Sequence, residues 1–114
     1  MVRVALVVPC YNEQEVLPGT CRRLLDALTE FVGSGLASSD SAVYFVDDGS
    51  SDRTWELVIE LAEGDPRVHG IKLSRNRGQQ TALLAGLEHA EGDAVVTMDA
   101  DLQDDVRVVE QMLR

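Results

Sequence analysis

Carboxylates stand just beyond three apolar runs in this chain, where a phosphate-handling metal site would need them. Glu13 follows the run at 2–8, Asp47 and Asp48 follow 42–46, and Asp99 and Asp101 follow 94–98. Gathered at one edge, like charges repel and raise one another's pKa, and a bound cation relieves the conflict. Asp99 and Asp101 leave one extended segment two positions apart, so both side chains can point the same way. All-oxygen ligands suit Mg²⁺ or Mn²⁺, which keep coordination positions open for phosphate oxygens. Such an ion screens a diphosphate from an acidic wall and stabilises it as a leaving group.

Each pattern also has an ordinary structural reading. Asp47-Asp48-Gly49-Ser50 is turn-forming, Asp99-Ala100-Asp101 can cap a helix, and Tyr11-Asn12-Glu13 can begin one. Arg75 and Arg77 read equally well as surface charges, His69 and His89 as structural, and Trp55 as core. The functional case rests on the motifs meeting at one edge, so the elements that carry them decide it.

Those elements alternate. The near-continuous apolar run at 2–8 suits a strand buried on both faces, and Pro9 is expected to stop it. Leu17, Cys21, Leu24, Leu25, Leu28 and Phe31 then recur at helical spacing, with Pro18 and Gly19 disturbing the first turn. A second strand at 42–46 leads to a turn in which Ser51 or Asp52 caps the next helix, whose stripe is Trp55, Val58, Ile59 and Ala62. A third strand at 68–73, a loop at 74–78, a helix at 79–90 ended by Gly92, a fourth strand at 94–98 and a helix at 106–114 complete the order. Strict alternation of this kind implies an α/β fold: a Rossmann-like, mostly parallel sheet with helices on both faces. Ligands bind such sheets beyond the carboxyl ends of the strands, the edge to which the acidic motifs belong.

Composition narrows the partners. The 114 residues suffice for one domain. Acidic residues number 20 against 10 basic ones, which argues against nucleic acid and against direct attraction to anionic lipid. Cys10 and Cys21 match no zinc or redox spacing and read as reduced and buried. No signal peptide or membrane span is recognisable, so the chain reads as soluble and cytoplasmic.

The motifs are recognisable as an ordered set. Val7-Val8-Pro9-Cys10-Tyr11-Asn12-Glu13, then Val46-Asp47-Asp48-Gly49-Ser50-Ser51-Asp52, then Asp99-Ala100-Asp101 closely resemble family 2 glycosyltransferases of the GT-A fold. The segment from Leu73-Ser74-Arg75-Asn76-Arg77-Gly78 to Gly92-Asp93 resembles the same family. Met98-Asp99-Ala100-Asp101-Leu102-Gln103-Asp104 is more specific. It resembles the branch that transfers sugars to polyprenyl phosphates, such as dolichol-phosphate mannose synthases.

The resemblance implies an inverting, metal-dependent transfer from a nucleotide-diphosphate sugar, UDP- or GDP-linked, to a lipid phosphate. By position it implies that Pro9, Tyr11 and Glu13 line the nucleotide pocket and that Val46 and Asp48 hold the base. Arg75 is implied near the diphosphate. Asp99, Ala100 and Asp101 are implied at the sugar nucleotide, with Asp99, Asp101 and Gln103 around the metal. Asp104-Asp105 departs mildly from the Asp-Pro common in this branch. In the family the acceptor half and the catalytic base follow the Asp-x-Asp helix. Residues 1–114 are therefore expected to be the N-terminal nucleotide-sugar-binding part, truncated, weakly active or inactive alone, and open to self-association through uncovered apolar surface. The full-length protein is expected at the cytoplasmic face of the membrane, in cell-envelope glycan synthesis.

Two rival readings fit less well. A receiver-like phosphoacceptor domain carries its acidic pair after the first strand, whereas here the pair follows the second. A haloacid-dehalogenase-like phosphatase needs Thr or Val where this chain has Gln103, and carries its motif on its first strand.

Overall fold

The computed structural model describes residues 2–100 and 105–114. Four strands, β1 (Val4–Cys10), β2 (Ala42–Asp47), β3 (Val68–Lys72) and β4 (Ala94–Thr97), form one sheet in the order β3-β2-β1-β4. All three pairings are parallel, as the alternation with helices implies: Ala5↔Ala42 to Cys10↔Asp47, Val43↔Val68 to Asp47↔Lys72, and Val4↔Ala94 to Val7↔Thr97. The helices are α1 (Leu17–Gly33), α2 (Thr54–Gly64), α3 (Gln79–His89) and α4 (Asp105–Leu113).

Side-chain alternation divides β1 between two layers. Leu6, Val8 and Cys10 pack with Leu17, Leu24, Leu28 and Phe31 of α1, Val58 of α2 and Val109 of α4. Ala5 and Val7 face the other way and pack with Ala82 of α3, alongside Ala42, Tyr44 and Val46 of β2. Each large side chain removed from water contributes about 1.5–3 kcal/mol. Most of the burial energy therefore lies on the α1/α2 face. Cys10 and Cys21 are free and buried, as expected. No helix among the described residues is long and apolar enough to cross a membrane.

Several boundaries differ from the sequence expectation. Pro9 does not stop β1, which continues to Cys10. The helix α1 begins at Leu17, with Pro18 inside its first turn. Proline is tolerated there because the first amides of a helix have no partner within it. Dihedrals put Arg53 at the cap position of α2, yet the Asp52 carboxylate still accepts from the Thr54 amide at 2.8 Å. The helix α3 ends at His89, before Gly92, where Ala90 turns extended. Trp55 is only partly buried, with Lys72 Nζ 5.8 Å from its ring centre, and Ile59 is 41% exposed. Both lie toward β3, the edge strand of the sheet among the described residues.

Candidate functional site

The strand order places β1 between β2 and β4, so the chain's direction of travel across the sheet reverses between β1 and β4. Ligand crevices of open α/β sheets form at such reversals. Local chemistry opens this one. The Val7 carbonyl accepts the Met98 amide at 2.9 Å. Two residues on, Pro9 faces the same neighbour by strand alternation and has no N–H to offer. The Cys10 carbonyl turns the other way and accepts the Asp48 amide at 2.8 Å. Having parted from β4 after Val7, β1 stays zipped to β2 from Val8 to Cys10.

A cavity of about 340 Å³ opens at this fork, lined by Pro9, Cys10, Tyr11, Glu13, Asp48, Gln79, Asp99 and Ala100. The structure thus brings together six residues singled out in the sequence: Pro9, Tyr11, Glu13, Asp48, Asp99 and Ala100. Tyr11, 47% exposed, lines the cavity. Asp99 is exposed, and its Oδ1 receives a long hydrogen bond, 3.4 Å, from Gln79 Nε2. Ala100 is buried, and its carbonyl accepts the Thr20 hydroxyl of α1 at 2.5 Å, tying the end of β4 to that helix.

Two singled-out residues stand apart from the cavity. Val46 is fully buried in the layer beneath α3. Arg75 is exposed on the β3–α3 loop and does not line the cavity. The five carboxylates also do not all converge. Alternation along β2 turns Asp47 toward the α1/α2 face, where it is fully buried and accepts the Ser50 amide at 3.3 and 3.4 Å. Asp47 is a turn-former, and its neighbour Asp48 faces the cavity. Asp101 and Gln103 lie outside the described residues, as does Asp104.

The floor of the site is held by a lattice between the β1–α1 and β2–α2 loops. Asn12, in the left-handed region at φ 53, donates its amide to Ser50 Oγ at 2.9 Å. Its Oδ1 accepts from the Ser51 and Asp52 amides at 2.9 and 3.4 Å. The Glu13 amide donates to Thr54 Oγ1, and Gln14 Oε1 accepts from the Arg53 amide. Burial opposes ionisation of Asp52, but donation from the Thr54 hydroxyl and amide and the Gln14 amide holds its pKa below the ordinary value. Burial, and then the nearby Asp47 and Glu13 carboxylates, push the Cys10 thiol far above its usual range, so it lines the cavity as an inert neutral group.

Asp48 is anchored from the opposite side. It is 4% exposed and accepts the Arg77 amide at 2.7 Å on Oδ1, and the Gly78 amide and Asn76 Nδ2 at 3.0 and 3.2 Å on Oδ2. Gln79, the first residue of α3, was not singled out in the sequence. The signal was present, because it opens a helix directly after a loop at the carboxyl edge of the sheet.

Comparison with known proteins names the fold's family. The model of Glycosyl transferase family 2 matches residues 5–114. The chain belongs to glycosyl transferase family 2. An uncharacterized glycosyltransferase of Bacillus subtilis (strain 168), YkoT, is 43% identical over 112 residues, covering 96% of this chain and 33% of that protein. The undecaprenyl-phosphate 4-deoxy-4-formamido-L-arabinose transferase of Salmonella choleraesuis (strain SC-B67) is 41% identical over 102 residues, covering 89% of this chain and 29% of that protein. Among solved structures, mannosyltransferase PcManGT from Pyrobaculum calidifontis, in complex with GDP-Man and Mn²⁺, aligns with a TM-score of 0.70 at 33% identity, over 88% of this chain and 28% of that one. The fold of this family 2 chain is thus the GT-A type. The chain spans about a third of the length of the curated relatives it matches. Neither the receiver-like nor the dehalogenase-like reading finds support among these relatives.

The family 2 resemblance implies a divalent cation. Of the residues implied around it, Asp99 stands at the fork and offers the hard carboxylate oxygen such an ion takes, while Asp101 and Gln103 lie outside the described residues. Asp99 is exposed, and among the described residues its Oδ1 receives the long bond from Gln79. Among the described residues no group of three or more His, Cys, Asp or Glu side chains is gathered closely enough to hold a metal.

Proposed function

We propose that residues 1–114 are the nucleotide-sugar-binding part of a glycosyltransferase that moves a sugar from a UDP- or GDP-sugar to a polyprenyl phosphate, with inversion. The observation that carries this reading is the fork between β1 and β4, where the ends of both strands, Asp48 and the first residue of α3 line one cavity. Its volume, about 340 Å³, is at the low end of the roughly 300–1,000 Å³ typical of small-molecule sites. That suits a nucleoside with its phosphates, the sugar projecting toward the acceptor part. The relative named for undecaprenyl phosphate supports the class of acceptor.

In this reading Pro9, Tyr11 and Glu13 surround the nucleoside, and Asp48 uses its remaining acceptor capacity for a ring N–H of the base. Val46, buried beneath α3, supports the base only indirectly, by fixing the strand end that carries Asp48, and Arg75 approaches the diphosphate from the rim. Asp99 and Ala100 lie along the ribose and sugar, and Asp99, Asp101 and Gln103 would hold Mg²⁺ or Mn²⁺. Once bound, the ion would neutralise charge that develops on the departing diphosphate. An oxygen of the lipid phosphate attacks the anomeric carbon from the face opposite the diphosphate. The new C–O bond forms as the old one breaks, and the electron pair leaves with the diphosphate. A phosphate acceptor arrives ionised and needs little help from a base. The base that a hydroxyl acceptor would need, and the membrane-facing elements, belong to the acceptor part, with the whole protein working at the cytoplasmic face of the membrane. Leu84 and Leu87, 60% and 46% exposed on α3, give the isolated chain a surface for self-association, which sedimentation at rising concentration would detect.

The test is calorimetric titration with UDP and with GDP, each with and without Mn²⁺. One nucleotide is expected to bind, to require the metal, and to lose binding in Asp101→Ala. Failure of the full-length protein to bind either nucleotide with metal present would overturn the reading.

A further inference from the structure

Asp48 faces the cavity, yet three donors from its own chain already converge on its carboxylate. The Arg77 amide lies 2.7 Å from Oδ1, and the Gly78 amide and Asn76 Nδ2 lie 3.0 and 3.2 Å from Oδ2. Asn76 Nδ2 also reaches the Asp48 carbonyl at 3.3 Å. A carboxylate offers about four acceptor sites, so this loop fills most of them and leaves one for a ligand. The contact is reinforced from below. Gly49 has φ +70, and a Cβ built there would lie 2.3 Å from the carbonyl carbon of Arg75 and from the Asn76 nitrogen. The loop backbone therefore rests directly on Gly49, where no side chain fits. From Gly78 the chain passes straight into α3, whose first residue Gln79 lines the cavity and reaches Asp99. A line of contacts thus runs from the end of β2, through the loop, to the end of β4.

We propose that Asp48 and Asn76 form a clasp that sets where Gln79 stands, making Asn76 a positioning residue and Gln79 a direct contact for the donor nucleotide. This rests on the donor-site reading above. Asn76 is exposed, so it adds little to the core, and its influence is exerted through the loop it holds. Hydrogen bonds to a charged acceptor are the strong kind, and weakening them frees the start of α3 to shift.

The decisive variant is Asn76→Asp, which keeps the shape and replaces two donors with a second carboxylate beside Asp48. Two quantities are measured on the chain: amide hydrogen exchange at Arg77 and Gly78, and affinity for UDP and GDP with Mn²⁺. Exchange at both amides is expected to quicken, and nucleotide affinity to fall, by about tenfold or more. Leu6, Val8 and Phe45 amides keep their protection. Gln79→Ala is expected to weaken the nucleotide as well, with exchange at Arg77 and Gly78 unchanged. Unaltered exchange in Asn76→Asp overturns the clasp. Quickened exchange with affinity held within about twofold overturns the positioning role. Should Asn76→Asp lose protection throughout the sheet, Asn76→Ala, which adds no charge, is judged by the same two criteria. If the full-length protein binds neither nucleotide with Mn²⁺ present, the donor-site reading fails and takes the Gln79 assignment with it, while exchange at Arg77 and Gly78 still decides the clasp.

Discussion

The two faces of the sheet are built on different principles. Under α1, α2 and α4 the layer holds Leu6, Leu17, Leu24, Leu28, Phe31 and Phe45, large side chains that interdigitate. Directly under α3 the layer is smaller, Ala5, Ala42 and Ala82 beside Val7 and Val46, with one large ring, Tyr44, in the same cluster. Gly86 of α3 sits where a Cβ would lie 2.4 Å from Val7 Cγ1 and 3.1 Å from Val46 Cγ2. The first face removes area from water. The second lets a helix approach so closely that its position is fixed by contact, and the helix so fixed is the one that presents Gln79 to the cavity. Most of the burial therefore lies on one face, while the other fixes the start of α3 at the site.

That division is tested hardest at Phe45. Phe45→Ala should cost about 3–5 kcal/mol in denaturant unfolding, yet leave nucleotide affinity of the folded fraction unchanged. A parallel loss of affinity at saturating stability would erase the distinction between the faces. Next in size is Gly86→Ala, whose added methyl meets a stiff β-branched neighbour and should cost about 1–3 kcal/mol. This variant should also weaken nucleotide binding, because α3 must lift; unchanged binding would mean that the helix start moves independently of its middle.

A smaller effect belongs to the α1/α2 side. Asp65 accepts from Arg67 at 2.8 Å, and that donation, working against desolvation, holds the carboxyl below its ordinary pKa. Its contribution is present above the unfolded pKa of about 3.9 and is lost as pH falls through the lower folded value. Asp65→Asn should therefore cost about 1 kcal/mol at neutral pH and progressively less in acid, measured as unfolding free energy against pH. Equal cost at every pH would show that packing, not charge, is what the pair supplies. Smallest of all is Leu84→Gln on the outer side of α3, expected to change stability by less than about 0.5 kcal/mol while reducing any concentration-dependent association.

The alternation of strands and helices was legible because apolar runs and helical spacing report burial directly. The parallel sheet, the buried cysteines and the edge at which the motifs gather followed from it. The misread points share a cause, since each depends on a neighbour distant in sequence. Pro9 looks like a stop until one sees that β4 has already left its side of β1. Ile59 looks like core until β3 proves to be an edge, while Trp55 packs against the core and is only partly covered. Asp47 and Asp48 are chemically identical in the sequence, and only the strand's alternation sends one to a turn and the other to the cavity. The lattice of Asn12, Ser50, Ser51 and Thr54 joins two loops roughly forty residues apart, a pairing that no local spacing announces.

The position of β4 bears on how the chain is made. It docks on β1, which is synthesised well before it; the Arg3 amide, for example, meets the Asp93 carboxylate across 90 residues. On the ribosome β1, β2 and β3 can pair while β4 is still untranslated, leaving the central strand with one flank bare. At that stage the crevice does not exist. An uncovered apolar strand edge is an invitation to pair with another chain. The stretch from Val4 to Val7 is therefore open to pairing with another chain until residues 94–97 arrive.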